Sequence, residues 1–123
     1  MAYGSVLTDV VQSSVTGTPP QFNDGSGTQT GTLCRSWCNF NGTSGASPVV
    51  RASFNTSSVT RTGTGTYNVV FVNALTDANY SVLITGPNLF TPSSLATTGF
   101  SISAANYLGA AADFSLITTG IFR

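Results

Sequence analysis

The sequence predicts an all-β protein: a small antiparallel β-sandwich, or partly open barrel, behind an extended N-terminal arm. Three observations carry this. From residue 33 onward, short runs rich in Val, Ile, Phe, Tyr and Thr recur at regular spacing between turn-forming clusters. No stretch after residue 31 places apolar residues at a helical period. The length of 123 residues fits one domain and leaves no room for a second core. The boundaries read as an arm over residues 1–31 and a β-body over residues 32–123.

The arm begins with "SVLTDVVQSS", whose apolar Val6, Leu7, Val10 and Val11 fit a helical turn or an irregular strand. Pro19 and Pro20 follow and favour extended backbone, and "NDGSG" is turn chemistry. In the body, "LCRSWCNF" alternates Leu33, Arg35, Trp37 and Asn39 against Cys34, Ser36, Cys38 and Phe40. "NGTSGASP" reads as a loop and "VVRASFNT" as a strand. "SSVTRTGTGT" reads as turn-rich, with Gly63 and Gly65 free to take positive φ. "YNVVFVNA" and "ANYSVLITG" are strands joined tightly through "LTDA". "PNLFTPSSLATT" reads as a loop carrying Pro87 and Pro92. "GFSISAAN" and "ADFSLITTGIF" supply the last two strands.

Two of these strands are apolar on both sides. "YNVVFV" sets Tyr67, Val69 and Phe71 against Val70 and Val72, and "YSVLIT" sets Tyr80, Val82 and Ile84 against Leu83. A half-wet antiparallel sheet alternates cleanly between apolar and polar. Either both faces lie inside one sandwich or the second face meets another subunit. The limited interior of a small domain favours the second.

Charge is nearly absent. The four acids are Asp9, Asp24, Asp77 and Asp113, and the four bases are Arg35, Arg51, Arg61 and Arg123, with no Lys, Glu or His. Such a surface does not track a phosphate backbone or hold an anionic membrane, so neither nucleic acid nor membrane is an expected partner. Ser, Thr, Asn and Gly make up 57 of the 123 residues, so hydroxyls and amides carry solubility. A body with no net charge tends to associate. The N-terminus has no basic region and no continuous apolar run, so synthesis in a cytoplasm is expected, where thiols stay reduced.

The two cysteines, Cys34 and Cys38, share one face of the "LCRSWCNF" strand about 13 Å apart. A disulfide requires Cα atoms within about 7 Å. A structural zinc site takes four Cys or His ligands, and the chain has two Cys and no His. The thiols are therefore read as small apolar side chains, buried or at an interface.

Chemistry is equally short of material. General acid–base catalysis would have to run on Asp alone, and no spacing brings two of the four together. A Ser or Cys nucleophile would lack its base. "GTG" at 63–65 is a turn rather than a nucleotide loop. No enzyme activity, metal or cofactor is expected.

The run from Leu33 to Gly86 resembles a β-domain found in structural proteins of tailed bacteriophages, including cyanophages. The matching positions are Arg35, Trp37, Asn39, Phe40, Asn41 and Gly42; Arg51, Ala52, Ser53, Asn55, Ser57 and Ser58; Gly63, Thr64, Gly65 and Tyr67; and Asp77, Ala78, Asn79 and Tyr80. The terminal "IFR" is similar too. Cys38 stands where the family pattern has Val, as a packed strand residue would. The resemblance implies a virion component, made in the bacterial host cytoplasm, of the kind labelled tail fibre or fibre-like and commonly homotrimeric.

The expected protein is thus a non-enzymatic, homotrimeric structural component of a phage virion, bound to capsid or tail proteins through its arm. A head decoration (cement) protein and a tail-fibre component both suit it. Expected core anchors are Trp37, Phe40, Phe54, Tyr67, Phe71 and Tyr80, each contributing about 1.5–3 kcal/mol by burial, so that Trp37→Ala should be severely destabilising. Expected arm contacts are Tyr3, Val6, Leu7, Val10, Val11 and Phe22. Arg35 and Arg51 are candidate interface charges, at least one of them paired with an Asp or with backbone carbonyls. The alternative is a lectin-like module that binds host-surface glycan through "NGTSGASP" and "PNLFTPSSLATTG", with Phe90 stacking on a sugar ring.

Overall fold

The computed structural model describes residues 21–23, 28–30 and 34–123. The chain divides into two units, Met1–Thr32 and Leu33–Arg123. In the first, β1 (Gln21–Asn23) pairs antiparallel with β2 (Thr28–Thr30), so this part of the arm is a hairpin rather than plain extended chain. Of the expected arm contacts, Tyr3, Val6, Leu7, Val10 and Val11 lie outside the described residues, and Phe22 lies in β1.

The second unit is all β, as predicted. Its strands are β3 (Cys34–Asn41), β4 (Val49–Phe54), β5 (Thr56–Gly63), β6 (Thr66–Phe71), β7 (Ser81–Thr85), β8 (Leu89–Ala96), β9 (Gly99–Ala105) and β10 (Ile117–Phe122). They form two four-stranded antiparallel sheets that do not close into a barrel. Sheet I has the order β4-β3-β10-β7 and sheet II the order β5-β6-β9-β8. The chain passes between sheets at β4–β5, β6–β7, β7–β8 and β9–β10.

The β4–β5 corner is the single residue Asn55, at φ 53°. Asparagine tolerates this left-handed conformation because its short amide bonds locally. Its Nδ2 donates to the carbonyls of Arg35 (3.0 Å) and Asn73 (3.1 Å), and its Oδ1 accepts from the Asn73 amide at 2.7 Å. One side chain thereby ties the first body strand to the β6–β7 crossover.

Two strands occupy segments read from sequence as turn or loop. β5 carries a single buried apolar residue, Val59, and β8 contains Pro92. Both are edge strands. An edge strand needs few inward apolar residues and tolerates a proline that would break a central ladder, so alternation is weak where these strands run. The "LTDA" connection also differs from its reading. It belongs to a crossover between sheets, over residues 72–80, that drops Leu75 and Tyr80 into the core. The Tyr80 hydroxyl lies 2.8 Å from the Gly99 carbonyl and 3.0 Å from that of Ala96.

The core lies between the sheets. Cys38, Phe40, Ile117 and Ile121 of sheet I meet Val59, Tyr67, Val69, Phe71, Phe100 and Ile102 of sheet II. Phe40 and Tyr67 join across the interior, edge to face, with ring centroids 5.3 Å apart. Phe71, Tyr80 and Phe100 make a second aromatic cluster. Four of the six expected anchors, Phe40, Tyr67, Phe71 and Tyr80, are buried here.

Trp37 and Phe54 are not core anchors. They face each other across β3 and β4 on the outer side of sheet I, 38% and 55% exposed. Strand parity is the reason: the buried set on β3 is Ser36, Cys38 and Phe40, and Trp37 belongs to the opposite set. The two-sided strands resolve in the same way. Tyr67, Val69 and Phe71 point inward, as do Val82 and Ile84, whereas Val70, Val72 and Leu83 are exposed on the outside. The second faces of these strands are not inside the sandwich.

Candidate interaction face

The two outer faces differ in chemistry. Across the middle of sheet II the register aligns Thr60, Asn68, Ser101 and Ser93, with Thr66, Ser103 and Thr91 in the next row. Asn68 Oδ1 accepts from the Ser101 hydroxyl at 2.8 Å. Hydroxyls and amides hydrate well and dominate these rows, although Val70 of β6 and Leu89 of β8 are exposed apolar residues of the same sheet.

Sheet I is different. Its register aligns Phe54 of β4, Trp37 of β3, Gly120 of β10 and Leu83 of β7 in one row. Leu83 is 59% exposed. Gly120 leaves no gap in the row, because the Phe122 ring from the same strand lies against it; a Cβ there would come within 3.2 Å of that ring. Val49, at the start of β4, extends the exposed apolar surface.

The polar part of this face is cationic. Arg51 sits at a bulge in β4, and its guanidinium donates to Asn39 Oδ1 (3.1 Å) and to the Ser115 carbonyl (2.6 Å). Arg51 is thus paired with a backbone carbonyl of its own chain. Asn39 in turn donates to Thr118 Oγ1 at 2.9 Å. Arg35 is exposed on β3, where the β3–β10 register shifts. Among the described residues neither arginine has a carboxylate within ion-pair distance, because Asp113 is held by Arg61 and Asp77 by Arg123.

The Asp113 cluster anchors the β9–β10 loop. Its carboxylate accepts from Arg61 Nε (3.0 Å) and Nη2 (2.7 Å), the Gly65 amide (2.8 Å) and the Tyr67 hydroxyl (2.7 Å). Arg61 first, then Tyr67 and Gly65, hold the Asp113 carboxyl well below the usual carboxylate range. Burial, then Asp113, pushes the Tyr67 hydroxyl above the phenol range. Burial likewise raises Tyr80 and the Cys38 thiol, whose Sγ lies 3.2 Å from Thr119 Oγ1. These four contacts tie the β9–β10 loop to β5, the β5–β6 turn and β6.

These shifts set a pH profile. Below about pH 3.9 the unfolded chain binds the proton that native Asp113 refuses, so stability falls as pH falls. Above about pH 8.5 the unfolded chain gives up the Cys38 proton, and near pH 10 the tyrosine protons, more readily than the native state, so stability falls as pH rises. With no His in the chain, the melting temperature is expected to be flat between these limbs. Thermal melts across pH should show this plateau, and Asp113→Asn should flatten the acid limb. An unchanged acid limb would count against the assignment.

The remaining sequence candidates fall elsewhere. Cys34 and Cys38 are free thiols on the inward side of β3, half-buried and buried. Phe90 is half-buried, packed edge to face on Phe114 with ring centroids 5.6 Å apart. In "NGTSGASP", Asn41 Oδ1 accepts from the Thr43 amide and hydroxyl, and Ser44 Oγ bridges the Asn41 carbonyl and the Val49 amide. The outer face of sheet I was missed as a site because its two rings were assigned to the core. The odd-numbered set of β3, Arg35, Trp37 and Asn39, was the signal that could have found it.

No protein-family model matches the chain, and no match to it was found among the curated proteins or the solved structures.

Proposed function

We propose that the chain is a non-enzymatic structural component of a tailed-phage virion, a capsid decoration (cement) protein or a tail-fibre component, whose β-sandwich assembles as a homotrimer. The observation that carries this reading is the apolar outer face of sheet I, with Trp37, Phe54 and Leu83 exposed in one register row. A protein working alone in solution gains nothing from that face, whereas an assembly covers it. The resemblance of residues 33–86 to phage structural β-domains supplies the setting, and the near-absence of charge favours association.

Sedimentation equilibrium of the purified chain should give three times the chain mass at micromolar concentration. Leu83→Asp, which places a charge on the covered face without touching the core, should give the single-chain mass with the melting temperature of the isolated body unchanged. A wild-type monomer would overturn the assembly reading. A particle reconstruction without this chain would overturn the virion assignment, and glycan binding by the monomer would favour the lectin alternative.

A further inference from the structure

The β9–β10 connection carries a second exposed apolar feature, and its backbone is fixed so that it protrudes. Ala105 and Ala111 bridge antiparallel, so residues 106–110 form a turn that continues β9 past the end of sheet II. Asn106 closes this turn. Its amide donates to the Ala110 carbonyl (2.8 Å) and its carbonyl accepts from the Gly109 amide (2.9 Å). Its Oδ1 accepts from the amides of Leu108 (3.0 Å) and Ala110 (3.1 Å). Gly109 supplies a left-handed residue at φ 83°. Behind the turn, the Ala112 amide donates to the Ala104 carbonyl, and Asp113 ties the loop to Arg61, Gly65 and Tyr67. The tip holds out Tyr107 and Leu108, 80% and 77% exposed, the most exposed large apolar side chains among the described residues.

We propose that this tip docks on the outer face of sheet I of a neighbouring copy, with Tyr107 and Leu108 seated on the row of Phe54, Trp37 and Leu83. A turn already fixed in place docks at little ordering cost, and tyrosine is favoured as such an anchor. Charge agrees. Residues 104–112 carry none, and the receiving face is cationic through Arg35 and Arg51, which an aromatic ring attracts and a basic partner would not. The contact lies between copies, because tip and row are both exposed within one chain. Tip and row are unlike patches, and unlike patches in contact close identical subunits into a ring. The inference rests on the assembly reading and names the part of the neighbour that covers the row.

Sedimentation equilibrium of full-length variants tests it. Tyr107→Ser with Leu108→Ser removes the tip, and Leu83→Asp spoils the face. Each alone should give the single-chain mass where the wild type assembles, with melting of the β-body unchanged. Mixed in equal amounts they should give twice the chain mass, because the intact tip of one variant meets the intact face of the other. Trp37 is the only tryptophan and stands in the row, so its quenching by acrylamide should fall on mixing. A tip variant that assembles as the wild type does would overturn this proposal and leave the assembly reading standing. So would two monomeric variants whose mixture stays at the single-chain mass, the result for a face that meets its own copy symmetrically. A wild-type monomer would overturn the assembly reading and this proposal with it.

Discussion

Phe40→Ala is expected to destabilise the β-body by about 3–5 kcal/mol, while Trp37→Ala, three residues earlier on the same strand, costs less, about 1–2 kcal/mol. The difference is positional. Phe40 is fully buried and packs edge to face on Tyr67 of the opposite sheet, so its removal opens a cavity where the two sheets meet. The neighbours of that cavity are held by the Asp113 cluster and cannot collapse into it easily. Trp37 is 38% exposed, faces Phe54 across the strand pair and is no member of the core between the sheets, so its removal leaves no closed cavity. Urea titrations of the two variants, at concentrations where the chain is dissociated, should separate their midpoints widely. Equal losses would mean that the strand faces are assigned wrongly. On the assembly proposed above, the ranking would narrow at higher concentration, because Trp37→Ala would then also lose the contact that covers it.

Gly65→Ala is expected to cost about 2–5 kcal/mol. Gly65 sits in the β5–β6 turn at φ 66°, where an L side chain adds about 1–2 kcal/mol of strain. A Cβ there would also collide with the Ala104 carbonyl oxygen and approach the Ala112 amide to 2.9 Å. Those are backbone atoms of β9 and of the loop behind it, which cannot swing aside as a flexible side chain could, so overpacking adds about 1–3 kcal/mol. The same glycine donates its amide to Asp113 and accepts from the Ala104 amide at 2.6 Å, and shifting it disturbs both. Gly45 is the control. It too has a left-handed φ, 96°, but nothing lies within 4 Å of its Cβ position, so Gly45→Ala should cost only the conformational strain, about 1–2 kcal/mol. Thermal melts of the two variants should differ clearly. If they match, the close approach at Gly65 is not a constraint on the fold.

Much of the architecture was legible in sequence where it depends on neighbours along the chain. Alternation on β3, β6 and β9, the turn chemistry at Gly63–Gly65 and the geometric bar to a Cys34–Cys38 disulfide are local properties, and each is found in the structure. β5 and β8 were missed because an edge strand carries a weak apolar pattern. The Asp113 cluster was missed for a different reason. Asp113 and Arg61 are 52 residues apart, and no local pattern joins them.

Alternation along β3 by itself determined that Trp37 and Phe40 stand on opposite faces, since parity in a strand follows from backbone geometry alone. Which of those faces is the interior was decided by tertiary structure. It depends on where sheet II docks, and that is set by non-local pairing and by which residues, here Phe40, Tyr67, Ile117 and Ile102, interdigitate across the gap. The same step turned an apparent core tryptophan into the centre of an exposed apolar row. The residue composition of that row was in the sequence throughout; its exposure is a property of the packed sandwich.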